Sequence, residues 1–313
     1  MKILITGGTG FIGRSLTRQL VEAGHQVRVL LQPSLKSPSL PRGITVEASV
    51  TSFSDVRGIR AALRGIEVVY HLASGEAEGG RANLEAIDIN GTHNLVEAAR
   101  DARPKRIFYL SHLTASSASA FPVFKAKGIA EDLVRKSGIP YTILRGGLLF
   151  GPGDFFTSGL AMLLALSPGV LPLPGHGRTA SQPLWVEDLS TCFTRALTNP
   201  ETLNKTYEVA GIESFTMQQL VETLMAATGR KRLLYPTANP PMRLLTATLE
   251  SVFPRFPATV FWLDYFTVTR TCALDSIPRQ FGFIPARFAS RLGHLRGVKW
   301  GWEAWKRLLT RGG

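Results

Sequence analysis

Lys2-Ile3-Leu4-Ile5-Thr6-Gly7-Gly8-Thr9-Gly10-Phe11-Ile12-Gly13 decides how the rest of the chain is read. A short apolar run, of the kind that forms a buried strand, passes through glycines at a Gly-x-x-Gly-x-x-Gly spacing and continues into helical spacing at Leu16 and Leu20. This context suits a dinucleotide. Gly7 permits a tight turn, Gly10 lets backbone approach a pyrophosphate, Gly13 lets helix and strand pack closely, and the free N–H groups of the helix start favour phosphate charge. A glycine-rich turn without that role is the bland alternative, and the strand before it and helix after it weigh against it.

Beyond this stretch, strand-like and helix-like segments alternate. Strands are expected at Val27–Leu31, Ile44–Glu47, Glu67–Leu72, Arg106–Ser111 and Tyr141–Leu144, with helical segments at Val56–Leu63, Glu85–Arg103 and Gly128–Ser137. The order predicts an α/β fold: a Rossmann-type, doubly wound parallel sheet with its ligand at the carboxyl ends of the strands. Residues 1–150 read as the nucleotide-binding core. Residues 151–235 read as a mixed region that partly returns to the core and forms a substrate lobe, with a helix opening at Val186–Leu189, a strand at Thr206–Ala210 and a capping box at Thr216 and Gln219. Residues 236–313 read as a basic, aromatic helical region.

The 313 residues suffice for a large buried core, and the two cysteines, Cys192 and Cys272, have no metal-ligand company in the sequence. Neither a disulfide framework nor a metal site is expected. The chain opens on a core strand, which leaves no room for a signal peptide and points to a cytoplasmic protein. Phe155–Gly177 lacks Asp, Glu, Lys and Arg, but Pro168, Pro172 and Pro174 interrupt any span, so a helix over Leu160–Leu166 and a proline-rich loop are expected. The net charge of +13 is uneven: residues 230–313 carry 14 Lys or Arg against 4 Asp or Glu. Such a patch attracts polyanions.

Taken together, Thr6–Gly13, Val69-Tyr70-His71-Leu72-Ala73, Asn90-Gly91-Thr92-His93-Asn94-Leu95, Thr142–Arg145, Phe150-Gly151-Pro152-Gly153-Asp154 and Val186–Leu189 resemble the extended and atypical short-chain dehydrogenase/reductases over residues 1–235. Leu110–Ala115 and Lys127-x-x-x-Glu131 look most like the branch that contains the NADH-quinone oxidoreductase 39 kDa accessory subunit. The resemblance implies NAD(P) held by Gly7, Thr9, Gly10, Phe11, Ile12, Gly13, Gln32, Ser49, Val50, Leu72, Ala73, Ser74, Asn90, Ser111 and Lys127. Active members use a Tyr four residues before a Lys, with a Ser or Thr near the end of the fifth strand, because on one helix face the ammonium and cofactor ribose lower the phenol pKa.

The chain departs from that pattern. With Lys127 as the family lysine, the tyrosine position is Val123; with Lys125 it is Phe121. Lys127, Thr114 and His112 are the remaining catalytic candidates. Plainer readings stand beside two of them, Lys127 (with Lys125) as a solvated helix start and His112 as a structural residue, while His71 reads as a core histidine. Gln32, with Lys36 and Arg42 beyond it, offers no carboxylate to a ribose hydroxyl, so the chain takes NADP or NAD, with NADP favoured. Ser49 and Val50 replace the acid that contacts adenine after the third strand. The resemblance places His176 and Arg178 in a substrate loop, with Arg145 ending a strand on the same side, and the two arginines are candidates to clamp an anionic substrate, or are simply solvated.

In the tail, Pro241–Leu245 begins an amphipathic helix, Phe253–Pro257 interrupts it, and Val260–Phe266 is aromatic. Trp300, Trp302 and Trp305 alternate with Lys299, Lys306, Arg307 and Arg311, which suits a lipid headgroup interface or a helix closing the substrate lobe. No recognised nucleic-acid motif accompanies the charge. The expectation is an NAD(P)-binding protein whose dinucleotide is structural or regulatory, peripheral at the inner face of a membrane beside a respiratory or lipid-modifying partner. Two alternatives stand beside it. One is an active NAD(P)-dependent oxidoreductase or epimerase/dehydratase acting on a small or lipid-like substrate through Lys127, Thr114 or His112; the other is a cofactor-free scaffold or membrane-surface binding module.

Overall fold

The computed structural model describes residues 1–34, 39–253 and 255–309; Lys36, Pro254 and Arg311 lie outside them. The chain divides into two compact units. The first comprises residues 1–76, 83–146 and 186–209, and the second residues 77–82, 147–185 and 210–313.

In the first unit, β1 (Lys2–Thr6) leads through the glycine loop into α1 (Phe11–Glu22), then β2 (Gln26–Leu31), β3 (Glu47–Val50), α2 (Val56–Ala62) and β4 (Val68–His71). A π-helical stretch, Glu85–Asn90, runs into α3 (Gly91–Ala102), followed by β5 (Arg106–His112), α4 (Pro122–Arg135) and β6 (Tyr141–Gly146). The strand Lys205–Val209 completes a seven-stranded sheet, lying outside β6, with the order β6-β5-β4-β1-β2-β3 beyond it. Every pairing is parallel. Helices cover a parallel sheet on both faces, which is why Ile3, Leu4 and Ile5 of β1 are all fully buried. Each such side chain contributes about 1.5–3 kcal/mol on burial. The strand order reverses between β1 and β4, so their carboxyl ends form the crevice where open sheets of this kind bind ligands.

Three local expectations are corrected. The third strand is Glu47–Val50, not Ile44–Glu47, because pairing with β2 aligns Glu47 with Arg28, and Glu47 binds Lys2 at 3.0 Å and Arg28 at 2.7 Å. Ser49 and Val50 therefore lie within the edge strand. The helix expected from Gly128 begins at Pro122, whose ring suits a first helical turn, so Val123 and Lys127 share one helix. The segment after Leu166 contains a strand, Val170–Leu173, paired in parallel with Leu233–Pro236.

The second unit is built on that pair, on Leu148–Phe150 against Pro183–Trp185, and on Phe215–Thr216 against Ala180–Ser181. The expected capping box is present: Thr216 and Gln219 cap the helix Met217–Thr228. Phe156 of the helix Phe156–Leu166 packs on Trp262 and Phe266, with ring centroids 6.1 and 5.7 Å away. Among the described residues no helix is long and apolar enough to cross a membrane.

Candidate functional site

The glycine loop is shaped by close approach. Gly7 has φ +73°, and a Cβ there would meet the Ala73 amide nitrogen at 2.8 Å; a Cβ on Gly13 would meet the Gly7 carbonyl oxygen at 2.1 Å. The loop is thereby pressed against the chain leaving β4, with Leu72 and Ala73 buried and Ser74 half-buried beside it. Gly10 is exposed and no side chain among the described residues caps the start of α1, so the first N–H groups of that helix suit a phosphate. Thr9, Phe11 and Ile12 are half-buried around this turn, and Arg14 donates to the Thr9 carbonyl at 2.9 Å. These features fit a dinucleotide pyrophosphate.

Gln32 and Arg42 are exposed beyond β2, and Val50 is exposed at the end of β3. Beneath the loop, Thr6 and Thr92 hold His71. Thr92 donates to the Asp88 carbonyl, leaving its oxygen to accept from His71 Nε2 at 2.8 Å, while the Thr6 hydroxyl donates to Nδ1 at 2.7 Å. The network assigns the Nε2-protonated, neutral tautomer. Burial, reinforced by the charge of Lys127, pushes the His71 pKa down to about 3, which makes it a core histidine and not a base.

Lys127 is not a solvated lysine; Lys125 is. Lys127 is 4% exposed, its Nζ lies 3.1 Å from Asp88 Oδ1, and it sits 5.4 Å from the Tyr109 ring centroid. Burial alone would favour loss of its proton, but Tyr109, Asp88 and Glu76 outweigh burial and hold the ammonium above the ordinary lysine range. One turn earlier, at the tyrosine position, Val123 is buried and apolar. Ser111 is buried at the end of β5, and Thr114 is exposed with φ +69°, a strained left-handed conformation for a β-branched residue. Between them His112 Nε2 lies 2.7 Å from Glu76 Oε2, its ring edge-on to Phe124.

Asp88 and Glu76 were not singled out in the sequence. Asp88 had a signal: with Gly91, Thr92 and Leu95 it falls on the buried helical face, where a carboxylate needs a partner. Glu76 had none, because a loop folds it back onto His112. Asn90, the neighbouring candidate, is exposed.

Arg145 is committed elsewhere. Its Nε and Nη2 donate to the two oxygens of Glu131 at 2.9 and 2.8 Å, joining β6 to α4, and despite burial this guanidinium holds Glu131 below the usual carboxylate range. His176 and Arg178 are exposed in the second unit. Among the described residues no group of His, Cys, Asp and Glu could hold a metal ion.

Comparison with known proteins agrees with this geometry. The NAD(P)H-binding family profile matches residues 7–154. Ceramide reductase of Caulobacter vibrioides (strain NA1000 / CB15N) is 34% identical over 309 residues, covering 95% of each chain. The chain belongs to the extended and atypical short-chain dehydrogenase/reductases, the NAD-dependent epimerase/dehydratase superfamily. Within this superfamily, 2-alkyl-3-oxoalkanoate reductase of Stenotrophomonas maltophilia (strain K279a) is 26% identical, covering 91% of this chain and 95% of that one. The rat mitochondrial NADH dehydrogenase [ubiquinone] 1 alpha subcomplex subunit 9 is 28% identical, but the match covers 74% of this chain and only 62% of that subunit. The resemblance to the respiratory-complex branch is thus real and partial in length, and the cofactor is NAD(P).

Proposed function

We propose that the chain is an NAD(P)H-dependent reductase of a ketone carried on a long-chain, ceramide-like lipid, with NADP preferred and His112 as proton donor. The observation that carries this reading is the His112–Glu76 pair at the carboxyl end of β5, 2.7 Å apart, in a site whose tyrosine position is apolar. The two reductases matched over nearly their whole lengths support it. The cofactor, when bound, supplies hydride to the carbonyl carbon. The proton held between His112 Nε2 and Glu76 Oε2 passes to the carbonyl oxygen, leaving a neutral imidazole beside the carboxylate. Lys127, fixed by Asp88, holds the ribose; Gly7, Gly10 and Gly13 admit the pyrophosphate. Gln32 and Arg42 leave room for a 2′-phosphate without a competing carboxylate. The exposed tryptophans and surplus charge of the second unit support residence at a membrane surface, where such a lipid is met.

A second reading, in which the dinucleotide is structural, is favoured by the buried Val123. NADPH oxidation with a detergent-dispersed 3-oxo ceramide separates the two. The reductase reading expects turnover that falls about 10²–10⁴-fold in His112→Asn, while nicotinamide fluorescence still reports saturable binding. Saturable binding without turnover assigns the structural role, and no saturable binding leaves a scaffold. Activity unaltered in His112→Asn removes His112 from the chemistry.

A further inference from the structure

The second unit contains a cavity of about 610 Å³ whose lining includes Glu78, Arg81, Phe155, Arg255, Phe256 and Arg307. That volume is in the range of small-molecule sites. Three guanidinium groups face one carboxylate there. Arg307, on the helix Trp300–Leu309, donates from Nε to the Arg255 carbonyl at 3.0 Å, and its guanidinium lies 4.8 Å from the Phe155 ring centroid. Burial, and then the charge of Arg255, push Arg307 below the ordinary arginine range, as expected where like charges are gathered in a partly enclosed place. The segment carrying Glu78 and Arg81 is pinned. Glu250 accepts from the Gly80 and Val260 amides, each at 3.0 Å, and Gly79 turns with φ +63° so close to Glu250 that a Cβ would lie 2.0 Å from its carboxylate.

The surroundings of this cationic cavity are apolar and exposed. Trp302, Trp305 and Leu309 are 67, 56 and 74% exposed at helical spacing on one face of the last helix, with Lys306 on the same side. Val252 and Phe253, at the end of the helix Asn239–Val252, are exposed just before Arg255. A soluble phosphate needs only the guanidinium groups, whereas a lipid phosphate brings its own apolar neighbourhood. We propose that this cavity takes the phosphate group of an anionic phospholipid, its oxygens held by Arg81, Arg255 and Arg307, with the exposed tryptophans and aliphatic side chains in the headgroup–acyl boundary. The proposal deepens, and rests on, the membrane-surface reading above.

Co-sedimentation of the full chain with phosphatidylcholine vesicles, with and without phosphatidylglycerol, tests it. Wild type should bind the anionic vesicles more tightly. Arg81→Gln with Arg255→Gln should weaken that binding about 100-fold, against about tenfold or less for Lys231→Gln with Lys299→Gln, which removes equal charge from exposed sites outside the cavity. Equal losses in the two pairs mean diffuse attraction and overturn the site, as does equal binding of both vesicle types. Binding to neither vesicle sinks the membrane-surface reading with it. Calorimetry with sn-glycerol 3-phosphate distinguishes the sources: affinity matching that for vesicles, and lost in the cavity pair, assigns a soluble phosphate and overturns the lipid. Should the double variant melt early, the exposed Arg81→Gln alone carries the test, with a loss of about tenfold expected and no loss overturning the site.

Discussion

At the scale of single residues, the site shows how burial decides what a titratable side chain can do. His71 and His112 are both imidazoles near the same strand ends. Enclosed by two threonine hydroxyls beneath the sheet ends, His71 is neutral, whereas His112 Nε2 lies 2.7 Å from the Glu76 carboxylate. The depressed pKa of His71 has a consequence for stability. Its folded value is about 3 and its ordinary value 6.5, so between these the unfolded chain binds more protons, and stability is fully present above about pH 6.5 and is lost as pH falls. The slope attributable to this group approaches 1.4 kcal/mol per pH unit. Urea denaturation at pH 7 and pH 5 should show wild type losing about 1–2 kcal/mol more than His71→Gln, and parallel curves for the two proteins would remove His71 as a source of acid sensitivity. That His71 is a core residue was legible from its apolar strand. That His112 meets Glu76 was not, since thirty-six positions of chain separate them.

At the scale of elements, the π-helical stretch that leads into α3 is joined to α4 by a buried ion pair. The π-helical stretch turns Asp88 inward, where Oδ2 accepts from the Gly75 amide at 2.9 Å and Oδ1 meets Lys127 of α4. Removing the lysine leaves a buried carboxylate without its charge partner. Lys127→Met should cost about 3–5 kcal/mol of unfolding free energy, and adding Asp88→Leu should recover much of it. A single-variant loss under about 1 kcal/mol, by the same urea measurement, would mean that solvent reaches Asp88. Element types were largely legible from periodicity, and boundaries less so. Pro122 extended α4 by a turn and a half, and Glu47 shifted β3, because a proline at the first helical turn and a cross-strand ion pair act on ends where apolar periodicity is weak.

At the scale of the whole molecule, binding at the glycine cradle should register as stability. NADPH at about a hundredfold excess over its dissociation constant adds about 2.7 kcal/mol to the folded state, which corresponds to about 5–10 °C in the melting temperature of the unit that binds it. In Gly13→Ala the new Cβ would collide with the Gly7 carbonyl, so this variant should lose the shift, read by scanning calorimetry with and without cofactor. A retained shift would mean that the loop adapts and that the cradle is not the determinant. Charge at this scale follows the same division as the fold: the positive surplus of residues 230–313 lies in the second unit, while the dinucleotide signature lies in the first.

Sequence by itself determined the nucleotide-binding fold and the missing tyrosine, because glycine spacing, strand–helix alternation and the residue four before Lys127 are local properties of the chain. Tertiary structure decided what replaces that tyrosine's surroundings. Asp88 beneath Lys127, Glu76 beside His112, Glu131 taking up Arg145, and three arginines about one cavity are pairings between distant positions. Charges find one another through folded space, at distances of a few ångströms that no interval along the sequence encodes.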